Sequence, residues 1–367
     1  MDKIPLRPKP STHGHLDLLD WQENRQVRIA GWIFSEDVAL ERIDVALNGQ
    51  PWLFSVPLRE RSDVIAAYRP LLGDRPHLAW SGFDVIAPPP EGVSAGSPAV
   101  VTVTPHAQDG SRQDSFVTYS ADGSAGAPRP PLHLQDRIGG SKDFVEVARQ
   151  LTSMLLSCIG KWKSLFEAER ILDWGCGCGR VIGRLMRLLP PQKLYGCDID
   201  TEAIEWDQAN LCGPSFTRIE PYPPTPYPDG NFDIVYGISV MTHLVEETQH
   251  AWLKELQRIT RPDAVLALSV IGRDLRATRM PASLQTEFAE KGFAAFVPDY
   301  SDMLADFSHP GYYQEAYHSI DYVSSVWSEY FELLEYVETG HQDLILLRSR
   351  RTPGANPNYA LQLTASG

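Results

Sequence analysis

The sequence predicts two folds in tandem, a small β-sandwich followed by an α/β domain built on a parallel sheet. Three observations carry this expectation. Residues 15 to about 120 hold short runs rich in Val, Ile, Trp and Phe, broken by Asn-Gly, Pro and Gly, at the spacing of a sandwich. The stretch ADGSAGAPRPP at 121–131 offers small residues and prolines, which cannot build a core. Beyond Lys142 strand and helix candidates alternate, and such alternation implies parallel strands joined by crossover helices.

In the first part, QVRIAGWIF, RIDVALNG, LAWSGFDVIA and AVVTVTP read as strands. The expected organisation is a sandwich at 1–125, a linker at 126–141, an α/β domain at 142–350 and a weakly anchored tail at 351–367. Within the α/β domain a helix is expected from Lys142 to Phe166. ERILDWG and KLYGCDI read as strands, RVIGRLMRLL and TEAIEWDQAN as helices. FDIVYGISV is the next strand, EETQHAWLKELQRIT a helix with Trp252, Leu256 and Ile259 on one side, and AVLALSVI a buried strand. YFELLEYVE and QDLILLRSR read as a terminal antiparallel hairpin.

Composition narrows the function. A hydrophobic share of 43% with 22% charged residues is ordinary for a globular chain, and no apolar run reaches the length of a membrane span. The opening MDKIPLRPKPSTHG lacks the apolar core of a secretory signal, and the five cysteines fall between Cys158 and Cys212, a pattern that argues against a disulfide framework. A cytoplasmic location is expected. The net charge of -14 repels phosphate backbones, so nucleic acid is not expected as a partner. Homo-oligomerisation stays open.

The segment ILDWGCGCGR at 171–180 places three glycines between a strand and a helix, where missing Cβ atoms let a ligand lie against the backbone. The dinucleotide pattern GxGxxG fails here, because Arg180 or Ile182 occupies the third glycine position.

At this point the chain resembles the class I S-adenosylmethionine-dependent methyltransferases, over roughly Lys142 to Arg350. Four stretches carry the resemblance: ILDWGCGCGR, LYGCDID, YPDGNFDIVYGISVMTHL and LQRITRPDAVLALSV. It implies a Rossmann-like seven-stranded sheet with a C-terminal antiparallel hairpin, and S-adenosylmethionine as cofactor. It places Gly175, Cys176, Gly177 and Gly179 under the methionine part of that cofactor and Asp173 near its amino group. It makes Asp198 the acceptor for both ribose hydroxyls, with Ile199 beside it, and brings Gly237 and Ser239 to the loop that faces the cofactor. Pro262-Asp263-Ala264 departs from the family's usual Pro-Gly-Gly, and a changed turn is expected there.

Other readings compete at several of these residues. Cys176 and Cys178 form a CxC without the second ligand pair of a structural zinc site, so small side chains filling a turn are favoured and no metal is expected. Asp299, Asp302 and Asp306 could hold magnesium, although such a run is more often a solvated helix face. His243 follows the fourth strand and is a candidate base for an acceptor hydroxyl, against the alternative of a packed histidine. His309, Tyr312 and His318 fall in the insertion that in this fold class often covers the acceptor.

The first domain resembles β-sandwich modules of bacterial surface-glycan enzymes through IAGWIF, IDVALNG, ERSDVIAAY and WSGFDV. Its Trp21, Trp32, Trp52 and Trp80 are either core residues or sugar-stacking platforms, with core favoured. Tyr236-Gly237-Ile238-Ser239 lacks the Pro-Pro motif of amino-group acceptors. A small molecule or glycan is therefore the expected acceptor, with O-methylation of a sugar hydroxyl in front. Methylation of a lipid or polyketide-type metabolite, or a non-catalytic scaffold role in glycan assembly, are the alternatives.

Overall fold

The computed structural model describes residues 6–7, 12–22, 25–93, 99–113, 115–120, 128–139, 144–298, 312–339 and 341–350. The amino-terminal part runs through β1 (Leu6–Arg7), β2 (Thr12–Trp21), β3 (Val27–Ser35), β4 (Leu40–Leu47), β5 (Gln50–Pro57) and β6 (Arg59–Glu60). It continues with α1 (Ser62–Leu72), β7 (Trp80–Ala87), β8 (Ala99–Ala107) and β9 (Phe116–Ser120). Two four-stranded antiparallel sheets result, ordered β2-β3-β7-β6 and β5-β4-β8-β9.

The period of two along each strand explains the core between them. Val27, Ile29 and Ile33 of β3, Ile43, Val45 and Leu47 of β4, and Val101 and Val103 of β8 are buried in one cluster with Phe83. Asn48 and Gly49 turn β4 into β5 with φ of 50° and 77°, the paired positive values that a two-residue hairpin loop needs. The four tryptophans stay out of full burial: Trp21, Trp32 and Trp52 are half-buried and Trp80 is 57% exposed.

The second part begins with α2 (Leu132–Arg137), α3 (Phe144–Gly160), β10 (Ile171–Trp174), α4 (Ile182–Leu185), β11 (Leu194–Asp198), α5 (Thr201–Asn210) and β12 (Ser215–Arg218). Next come β13 (Phe232–Gly237), α6 (Glu246–Ile259), β14 (Thr260–Ile271), α7 (Arg273–Arg279) and α8 (Gln285–Lys291). The chain then forms β15 (Phe293–Phe296), β16 (Glu315–His318), α9 (Ile320–Val326), β17 (Phe331–Val337) and β18 (Gln342–Ser349).

One mixed sheet organises this part in the order β17-β18-β14-β13-β10-β11-β12, with the two-residue β1 parallel to β17 at its edge. β10 to β14 pair in parallel, whereas β18 runs antiparallel to both β14 and β17. A sheet covered on both faces needs near-continuous apolar strands, and β13 is buried at every position. Alternate residues divide between two cores: Ile171, Ile234, Val265 and Leu344 join α3, while Leu172, Val235, Leu266 and Ile345 join α6. The second amino-terminal sheet meets this part along α3, where Val100 and Val117 enter the same cluster as Leu155 and Ile159.

Two expectations need adjustment. The interval read as a linker contains α2, whose Leu134 is buried against Cys178 and Ala203. The helix read at 180–189 is regular only over Ile182–Leu185. At Pro262-Asp263-Ala264 it is Asp263 that takes a left-handed conformation, φ 61°, which an aspartate tolerates, while Ala264 is buried in β14. No helix among the described residues is long and apolar enough to cross a membrane.

Candidate active site

From β10 the chain proceeds to β11 and β12 on one side, then returns to β13 on the other. The carboxyl ends of β10 and β13 therefore flank a switch point, where an open α/β sheet leaves a crevice. A cavity of ≈ 580 Å³ lies there.

The turn after β10 forms one wall. Gly175, Gly177 and Gly179 have φ of 77°, 53° and 67°, values that side chains strongly disfavour. A Cβ at Gly175 would lie 2.3 Å from Val240 Cγ2, and one at Gly177 2.5 Å from Ile138 Cγ2. The N–H groups of Gly175 and Cys176 donate to the Cys197 carbonyl at 2.8 and 3.1 Å, which fixes the turn over β11. Cys176 and Cys178 are buried free thiols, and burial pushes the Cys178 thiol up to about 12. Both side chains pack within the turn, the Cys176 thiol 3.8 Å from Asp207 Oδ2 and the Cys178 thiol 3.6 Å from the Leu134 carbonyl.

Two acids face the cavity from the strand ends. Asp198 Oδ2 accepts the Gly177 N–H at 2.7 Å and Oδ1 accepts the Asp200 N–H at 2.9 Å. Each oxygen keeps a second lone pair, so the carboxylate can still accept two hydroxyl donors. Ile199 follows it in the lining, and Asp200 caps α5 and is bound by Arg137 of α2 at 3.0 Å. Asp173 is 4% exposed. Burial pushes its carboxyl up to about 7; Asp198 adds to the rise and Arg180 opposes it.

Asp207 stands behind the turn on α5, fully buried, with Oδ1 lacking a hydrogen-bond partner and Oδ2 3.8 Å from the Cys176 thiol. Burial beside Asp173 and Asp198 pushes it up to about 9, so it is a neutral acid at pH 7. The sequence reading passed over it. Its signal was an acid sharing the buried stripe of Ala203 and Ile204.

His243 lines the opposite wall at the end of a short 3₁₀ turn, Met241–His243. Its Nδ1 is 2.9 Å from the Gln314 carbonyl, and its ring stacks on Tyr313 with centroids 4.1 Å apart. A carbonyl only accepts, so Nδ1 carries the hydrogen and Nε2 keeps its lone pair. Burial lowers the imidazole to about 4, which leaves it neutral at pH 7.

Ser239 also lines the cavity and holds φ 61°, a conformation that costs energy for a serine. Two strands support it: its N–H donates to Ser269 Oγ at 2.8 Å, and Gln342 Nε2 donates to Ser239 Oγ at 2.8 Å. Ser269 Oγ in turn donates to Gln342 Oε1 at 2.8 Å. The sequence reading gave Ser269 and Gln342 no role, because nothing local marks them.

The remaining expected residues divide. Tyr312 lines the cavity and its hydroxyl donates to the Pro221 carbonyl. His318 does not reach it. Its side chain is fully buried among Phe293, Tyr322 and Trp327, with Nε2 2.9 Å from Gln249 Oε1, so it acts as a core residue. Gly179 and Gly237 sit behind the lining: a Cβ at Gly179 would meet Leu211 and Asp207, and one at Gly237 would meet Trp174 at 2.7 Å. His309, Asp299, Asp302 and Asp306 lie outside the described residues. Among the described residues no three potential metal ligands cluster.

A family described as "Methyltransferase domain" matches residues 172–268. The tRNA N(3)-cytidine methyltransferase of Gallus gallus is 29% identical over 113 residues, covering 28% of this chain and 30% of that protein. The fatty-acid O-methyltransferase of Mycolicibacterium smegmatis is 31% identical over 98 residues, covering 26% and 35%. The chain thus spans about a third of the length of the curated relatives it matches. Among solved structures, the 1,6-didemethyltoxoflavin-N1-methyltransferase of Burkholderia thailandensis aligns over 65% of this chain and 96% of its own, at 14% identity and a TM-score of 0.40.

Proposed function

We propose that this chain, whose residues 172–268 match a methyltransferase-domain family, transfers a methyl group from S-adenosylmethionine to a hydroxyl of a small molecule or glycan, with a sugar hydroxyl as the leading acceptor. One observation carries the reading: a glycine cradle with the acids Asp173 and Asp198 faces, in one cavity, a neutral imidazole with a free lone pair.

The cradle fits the cofactor, because Gly175 and Gly177 bring bare backbone to the cavity wall and Asp198 retains acceptor capacity for a diol. When bound, the cofactor supplies a sulfonium as the leaving group. The protein's part is orientation and proton removal. Tyr313 and the Gln314 carbonyl fix the plane and tautomer of His243, so Nε2 can take the proton of an acceptor hydroxyl as the new bond forms. Ser239, held by Ser269 and Gln342, sets the loop between the cofactor and acceptor ends.

The net charge of -14 and the missing Pro-Pro motif after β13 support a small or glycan acceptor over a nucleic-acid amine. The two amino-terminal sheets, read as an accessory β-sandwich with Trp80 largely exposed, support the sugar. The catalytic unit in this reading starts before Lys142, because Ile138 lines the cavity and Arg137 holds Asp200.

Calorimetry with S-adenosylmethionine and S-adenosylhomocysteine on wild type and Asp198→Asn tests the cofactor site, and radiolabelled methyl transfer to a panel of sugars tests the acceptor. Micromolar binding that weakens in the variant supports the reading. A folded wild type that binds neither compound refutes it and favours the scaffold role.

A further inference from the structure

In the acceptor half of the cavity the cation Arg279 is left unused by the proposed methyl transfer. Arg279 ends α7 and lines the cavity, close enough to His243 for its charge to disfavour protonation of the imidazole. Among the described residues it makes no ion pair and no hydrogen bond. The other cavity arginines are engaged: Arg137 pairs with Asp200 and with Glu202 at 2.8 Å, and Arg180 donates to the Ile138 carbonyl at 3.1 Å.

Among the described residues Arg279 pairs with none of the five acids of the lining, Asp136, Asp173, Asp198, Asp200 and Glu315. Asp198 accepts backbone N–H groups, Asp200 is held by Arg137, and Glu315 accepts the Tyr317 hydroxyl at 2.5 Å. In a chain with 47 acidic against 33 basic side chains, an arginine that lines a cavity and pairs with none of its acids is complementary to an anion brought from outside. Its planar fork suits a phosphate or carboxylate, which it can bind through two parallel hydrogen bonds. Leu275, one turn earlier on the same helix face, lines the cavity beside it and gives the cation an apolar flank.

We infer that Arg279 anchors an oxyanion carried by the acceptor itself, so that the acceptor class is a phosphorylated or carboxylated sugar rather than a neutral one. This rests on the methyltransferase reading, and it sets Arg279 at the acceptor end beside His243 and the buried Glu315, whose carboxylate is taken by the Tyr317 hydroxyl. The acceptor's hydroxyl faces His243 while its anionic group is held on α7. Arg279 is exposed at the mouth, so the attraction is screened by salt.

The test is calorimetric titration of protein saturated with S-adenosylhomocysteine, using glucose 1-phosphate, glucuronate and methyl glucoside as probes. Wild type, Arg279→Gln and Arg279→Lys are compared at two salt concentrations. Wild type is expected to bind an anionic probe about tenfold more tightly than methyl glucoside, with the preference shrinking at high salt. Arg279→Gln is expected to lose that preference and Arg279→Lys to keep part of it. The stronger of the two anionic probes identifies phosphate or carboxylate as the source. Equal binding of charged and neutral probes by wild type, binding of none of them, or an unchanged preference in Arg279→Gln overturns the inference. A loss of S-adenosylhomocysteine affinity in Arg279→Gln also overturns it, by assigning the arginine to the cofactor. Failure of wild type to bind S-adenosylhomocysteine sinks the methyltransferase reading instead.

Discussion

Raising the pH from about 6 to about 8 is expected to tighten S-adenosylmethionine binding about tenfold, through Asp173. The Asp173 carboxyl is 4% exposed and raised by burial, with Asp198 adding to the effect, from the ordinary 3.8 to about 7. A ligand that carries an ammonium and a sulfonium favours the carboxylate, so the protein must first release a proton. If only the ionised form binds, the apparent Kd scales as 1 + 10^(7 − pH), about 11 at pH 6 and about 1.1 at pH 8, or ~1.4 kcal/mol between them.

Stability of the ligand-free protein runs the other way. A carboxyl with a raised folded-state value contributes stability that is fully present below about 3.8 and is lost as the pH rises through about 7. Asp198 is also raised by burial, Asp207 stays neutral until about 9, and Arg180 opposes the rise at Asp173, so the transition belongs to the group as a whole. Titration calorimetry in two buffers of different ionisation enthalpy counts the protons. Close to one should be released at about pH 6 in wild type and fewer in Asp173→Asn. A Kd that stays flat between these pH values, or proton release undiminished in Asp173→Asn, would refute the reasoning.

Three further outcomes are expected. Gly175→Ala should destabilise the fold by about 2 kcal/mol or more, since φ 77° penalises a side chain and its Cβ meets Val240 at 2.3 Å. In urea unfolding, adding Val240→Ala should return the steric part and leave the conformational part; strict additivity of the two changes would contradict this. His243→Gln should lower kcat by about a hundredfold or more with S-adenosylhomocysteine affinity unchanged. Wild-type kcat should show no inflection from His243 between about pH 6 and 8, because the imidazole titrates at about 4. Gln342→Ala strands the Ser239 and Ser269 hydroxyls and should cost about 1–3 kcal/mol. It should weaken cofactor binding beyond what Leu344→Ala does at matched stability, measured by calorimetry against unfolding midpoints.

The cofactor end of the cavity was legible because its requirements are local. Three positive φ values within five residues demand glycines, and the acids sit at strand ends that hydrophobic runs mark out. His318 shows where that logic stops. A histidine beside aromatics in an insertion has the composition of a pocket wall, yet β16 pairs with β15 and turns its ring into the core, a choice made by long-range packing. α2 was missed for a related reason. Proline and glycine flank it and it is only six residues long, so its role depends on Leu134 reaching Cys178 and Ala203 and on Arg137 reaching Asp200.

The acceptor end follows from sheet order rather than motif. β18 lies antiparallel to β14, and the pair starts with Gln342 opposite Ile271, at the carboxyl end of β14. That register brings Gln342 to the loop after β13 and to Ser269, and α7 leaves β14 at the same level to carry Leu275 and Arg279 into the lining. One strand reversal at the sheet's edge therefore assembles the support for Ser239 together with the wall that meets the acceptor. Changes at Arg279 can alter the charge in the lining without touching the glycine turn, because α7 makes no contact with Gly175 or Gly177 through that side chain. Cofactor affinity and acceptor preference should accordingly respond to different substitutions, with Gly175 and Asp198 governing the first and Arg279 the second.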